Sequence, residues 1–199
     1  MNAAAVFVAG YSPADRARID FAWNGKHADQ FVDAHQQMRW DVVSYCLSAP
    51  GSAPSELLQH LFLADAAWTR EAWGSPQHFG ALAALLLQCG GEAVIETFAS
   101  GLNASFDTFG ACHEMTLSPE LAARLAVVAQ EKAAIATDDR MRKCLESAAE
   151  LFAKLQKGIA KQGWAVVAPG TPVRNVRVAW PRWYHKLLRT LSAWVKRAT

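Results

Sequence analysis

The chain has 199 residues, 52% apolar and 19% charged, with a formal net charge of +2. That is enough to bury one core of generous size, and it excludes disorder over most of the length. No uncharged apolar run approaches the roughly 18 residues that cross a bilayer, so a transmembrane protein is not expected. Residues 1–10 are apolar but open without a positive charge, which argues against a secretory signal and makes a cytoplasmic location the expectation.

Helix starts are the clearest local signal. Ser12-Pro13, Ser75-Pro76 and Ser118-Pro119 each put a capping hydroxyl before a proline whose fixed φ suits the first helical position. With stops at Gly25, Gly74, Gly90-Gly91 and Gly163, they predict helices over 13–24, 28–47, 54–73, 76–89, 92–113, 119–136 and 138–162. Apolar residues recur at helical spacing: Phe31, His35, Met38, Val42 and Tyr45; then Leu57, Leu61, Ala64 and Trp68; then Leu121, Leu125 and Val128. Short connections between such helices imply an all-α fold of antiparallel helical hairpins, forming a bundle or a short irregular solenoid. The Ser-Pro starts at 75 and 118 have the spacing of helix-pair repeats, but residues across that offset do not match. After Gly163 the β-branched residues around Pro169-Gly170 suggest a short extended segment before a last helix opened by Pro181. The expected division is a helical domain over 1–163 and a basic, aromatic segment over 164–199 docked on it.

Charge is divided unevenly. Residues 1–150 hold all eighteen acidic and ten basic residues, a net −8, whereas 151–199 carry +10 with no acidic residue. At 100° per residue, Trp183, Tyr184, Leu187, Leu188, Leu191, Trp194, Val195 and Ala198 share one face of the last helix, about 140° wide. Arg182, His185, Lys186, Arg189, Lys196 and Arg197 lie outside it. Such a helix docks its apolar face on the body, or rests on an anionic membrane surface, or, less favoured, binds nucleic acid. The residues that would contact a partner or an anionic surface are Arg174, Arg177, Arg182, Trp183, Lys186, Arg189, Lys196 and Arg197. A docked tail would set its positive charge against the acidic body.

Residues that could carry chemistry are few. Cys46, Cys89, Cys112 and Cys144 form no CxxC and read as buried, reduced cysteines. Residues 57–68, with His60, locally resemble the histidine-bearing helix of the DinB-like four-helix metalloproteins, which would place His60 on a divalent metal. The HxxxH pair that completes such a site is absent from the sequence. His27, Asp29, Asp33 and His35 cluster near a helix start, where carboxylates suit the helix dipole. In 105–114 a cysteine and a histidine are adjacent, at Cys112 and His113, and neighbouring helical residues diverge by about 100°. There Phe106 and Phe109 are expected inward, Asp107 and Glu114 outward, with Gly110 permitting a close helix crossing. Asp138 and Asp139 read as a cap. No GxGxxG, Walker loop, GxSxG, HExxH or paired ExxH occurs. The eight tryptophans suit core packing first and interface anchors second.

The reading that follows is a bacterial-type cytoplasmic protein acting by binding another protein: an inhibitor or immunity protein, an adaptor or a secretion chaperone. No cofactor, metal or catalytic residue is assigned. The alternative is a membrane-surface or nucleic-acid binder working through the C-terminal helix, and a third is a metal-dependent helical enzyme using His60.

Overall fold

The computed structural model describes residues 2–157. Among them are eight α-helices: α1 (Ala3–Ala9), α2 (Gln36–Ser48), α3 (Ser55–Ala72), α4 (Phe79–Gly90), α5 (Ile95–Leu102), α6 (Phe106–Cys112), α7 (Pro119–Ile135) and α8 (Asp139–Gln156). There are no strands among the described residues, and one isolated antiparallel bridge joins Trp23 and Asp33. The all-α expectation holds. The Gly163 stop, the extended segment and the basic terminal helix lie outside the described residues.

The core is a column of phenylalanines threading four helices. Phe79 of α4 stacks on Phe62 of α3 at 4.9 Å, Phe62 on Phe98 of α5 at 5.9 Å, and Phe98 on Phe152 of α8 at 5.2 Å. All four are fully buried, and each contributes about 1.5–3 kcal/mol of transfer free energy. Two glycines make the close approaches possible. A Cβ on Gly101 would collide with the Phe62 ring, and one on Gly80 would lie 2.6 Å from the Ala111 carbonyl oxygen. Thus Gly80, and not Gly110, marks the tight crossing of α4 and α6. Along one face of α3, Leu57, Leu61 and Ala64 are buried as their spacing predicts.

Several boundaries depart from the sequence expectation. Ser118 caps α7 by accepting from the Leu121 amide, and Asp138 caps α8 by accepting from the amides of Arg140 and Met141. Both were legible as caps. By contrast, Ser12-Pro13 opens only a 3₁₀ turn, Pro13–Arg18. Side chains then capture the backbone that a helix would need: Asn24 accepts from the Lys26 and Val32 amides and donates to the Gln30 carbonyl. Asp33 likewise takes the Ala22 and His35 amides, so α2 begins at Gln36 and Phe31 and His35 precede it. After Ser75-Pro76, the Pro76 carbonyl closes a turn on the Phe79 amide before α4 starts. The helix expected over 92–113 is broken at 103–105, where Ser105 and Thr108 exchange hydrogen bonds and restart the chain as α6. The sides of that segment are also reversed. Phe106 is 81% exposed and Phe109 lies at the surface, while Glu114 is half-buried and burial pushes its carboxyl up to about 8. The stretch Phe79–Leu102 is long and apolar enough to cross a membrane by length and composition, which the sequence reading did not foresee; 56% of its apolar window is buried within the fold.

Candidate functional site

The polar centre of the molecule is Arg39, a fully buried arginine on α2. Its Nε donates to Asp65 Oδ1 of α3 at 2.7 Å, its Nη2 to Asp33 Oδ2 at 2.6 Å, and its Nη1 to the Ile19 carbonyl at 3.3 Å. Asp65 also accepts from Trp40 Nε1 at 3.2 Å and from His78 Nε2 at 2.6 Å. Burial works to raise the Asp65 carboxyl, but the His78 hydrogen bond and charge, with Arg39 behind them, outweigh it and hold the group below its ordinary value. Among the described residues no buried side-chain polar atom is left without a partner. The network clamps four pieces of chain together: residues 19–33, α2, α3 and His78 at the start of α4.

On this clamp rests a continuous row of rings. His78 meets Trp40 edge-on at 5.5 Å, Trp40 meets Trp68 at 5.4 Å, and Trp68 meets Phe31 at 5.8 Å. Phe31 and Trp23 each pack on Phe21, nearly parallel, at 6.2 and 6.4 Å. Trp23 then contacts His27 at 4.8 Å, and His27 lies 6.2 Å from Trp73. The row therefore runs from a buried histidine to Trp73, which is 84% exposed. Its outer half is a surface platform.

The platform coincides with the strained backbone. Among the described residues, Ala28 and Trp73, with φ of 55° and 57°, are the non-glycine positions in the left-handed region. They flank the His27–Trp73 contact, and each costs of order 1 kcal/mol or more. His27 Nδ1 donates to the Glu71 carbonyl at 3.4 Å, tying the loop to the end of α3, and Trp23 Nε1 donates to the Lys26 carbonyl at 2.8 Å within the loop. Trp73 is the left-handed residue that ends α3, and its large side chain stands in water there. The arrangement offers π faces to a planar or cationic partner group, with about 0.5–2 kcal/mol available per cation–π contact.

The other sequence candidates are dispersed. Arg174, Arg177, Arg182, Trp183, Lys186, Arg189, Lys196 and Arg197 lie outside the described residues. His60 pairs with the Tyr11 hydroxyl; burial, then the nearby Arg16 charge, holds its imidazole below the ordinary value. No three His, Cys, Asp or Glu side chains among the described residues converge to hold a metal ion. Cys112 is buried and its thiol is pushed far up by burial, while His113 Nδ1 donates to the Phe109 carbonyl at 2.8 Å, so the two do not act together. Cys46 is buried as expected, its thiol pushed up to about 12, but Cys89 is exposed. Asp33, read as a helix-start carboxylate, is a buried partner of Arg39. Sequence reasoning missed Arg39, Asp65 and His78. A signal existed: Asp65 falls on the α3 face formed by Leu58, Leu61, Phe62 and Thr69, all buried, where a charge demands a partner. Comparison of the chain with family models, with curated proteins and with solved structures gave no match.

Proposed function

We propose that this protein acts by binding another protein through the Trp23–His27–Trp73 platform, as an inhibitor or immunity protein, an adaptor or a secretion chaperone. The platform sits on a body we read as antiparallel helical hairpins. The observation that carries the reading is the 84% exposed Trp73 held at positive φ against His27. Exposed aromatic anchors on a rigid floor are the residue class that dominates interface energies. The buried clamp beneath supplies that rigidity, so little ordering cost remains to be met on binding. An acidic body also favours encounter with a basic partner.

Photo-crosslinking from position 73 in cells that make the protein tests the proposal. A discrete protein adduct, abolished when His27 and Trp23 are changed to alanine, is expected. Absence of any adduct from position 73, with vesicle or oligonucleotide binding lost on neutralising Lys186, Arg189, Lys196 and Arg197, would replace it with the surface-binding alternative.

A further inference from the structure

We infer that the platform has a resident occupant within the same chain, the segment 173–199, which an external partner must displace; the inference rests on the platform being the working surface. Three observations carry it. The first is charge. Residues 2–157 hold twelve basic and eighteen acidic residues, a net −6, and residues 158–199 hold eight basic and no acidic residue, +8. Segments of such opposed sign within one molecule attract each other at ordinary ionic strength.

The second is chemistry. Segment 173–199 interleaves Arg174, Arg177 and Arg182 with Trp180 and Trp183. Guanidinium groups stack on the faces of tryptophan and histidine rings, and indoles pack edge-on against other indoles, as Trp40 and Trp68 already do. Trp73 and His27 present such faces to solvent.

The third is reach. Phe152 of α8 packs on Phe98 of α5, and Thr97 of α5 donates to Gln59 of α3 at 2.8 Å. The chain therefore leaves α8 near the first half of α3. The platform stands at the other end of that helix, thirteen residues beyond Gln59, about 20 Å away at 1.5 Å per residue. Residues 158–172 supply fifteen links, up to about 50 Å of extended chain. The span is covered more than twice.

The test uses purified full-length protein at low concentration, with p-benzoylphenylalanine replacing Trp73, an exposed site whose change leaves the core untouched. Illumination is expected to join position 73 to peptides from 173–199 within one chain. The yield should fall about threefold or more in 1 M salt, and equally in the full-length variant R174Q/R177Q/R182Q, checked for an unchanged melt. Cross-links confined to residues 2–157, cross-links to a second copy, or none at all overturn the inference. Because no partner is present, each of those outcomes leaves the external-partner proposal to its own test.

Discussion

Arg39 joins two carboxylates that no solvent reaches, and the consequence of losing it follows from burial. Arg39→Met would leave Asp33 and Asp65 buried without their cation, at a cost of about 3–5 kcal/mol. For a chain of this size that lowers the melting temperature by roughly 10 °C, which a calorimetric melt at pH 7 reads directly. Replacing both Arg39 and Asp65 with apolar residues should cost less than the two single changes together, since Asp65 is then no longer a buried charge without its cation and Asp33 alone is left so. Glu114 behaves in the opposite sense. Its folded carboxyl is raised to about 8 by burial against an ordinary 4.5, so the stability it permits is fully present below pH 4.5 and is lost as pH rises toward 8. Glu114→Gln is therefore expected to melt with its parent at pH 4 and progressively above it from pH 5 to 8. A melting difference independent of pH would show that burial does not govern this carboxyl.

At the scale of elements, legibility in the sequence followed the source of each signal. Where one local signal was clear, apolar spacing in α3, a cap in α8 and both in α7, the helices lie close to where the pattern predicts them. Where side chains compete for the backbone, the pattern misleads. Asn24 and Asp33 accept amide hydrogens that a helix would use, and nothing in spacing reveals this before the tertiary partner Arg39 is known. The break at 103–105 is of the same kind, a Ser105–Thr108 exchange inside a stretch whose pattern predicts one continuous helix. The platform was half-legible: tryptophan abundance hinted at an interface, but the convergence of the 21–31 loop with the end of α3 is a long-range event. Packing of α3 on α5 yields a further expectation. Gly101→Ala would drive a methyl into the Phe62 ring and unseat the phenylalanine column. Over-packing of this kind costs about 1–3 kcal/mol, whereas the same change at Gly110, with open space around it, should be neutral or slightly stabilising in thermal melts.

Taken whole, residues 2–157 form an acidic helical body with aromatic rings gathered at one end of α3, and the sequence that follows is basic and bears four tryptophans. The fold explains the column of phenylalanines and the buried clamp as stability, but neither explains why Trp73 and Phe106 stand in water. Of the two, only Trp73 has a left-handed backbone, ring neighbours and a rigid floor, and on this contrast rests the proposal that its surface is the one that binds. The most direct measurement is the affinity of the protein captured from position 73 for two full-length variants, Trp73→Ala and Phe106→Ser, each with its melt recorded alongside. The platform account predicts a loss of at least about tenfold for Trp73→Ala, near 1.4 kcal/mol, with its melt unchanged, and parental affinity for Phe106→Ser. Parental affinity for Trp73→Ala, or a loss confined to Phe106→Ser, would contradict it.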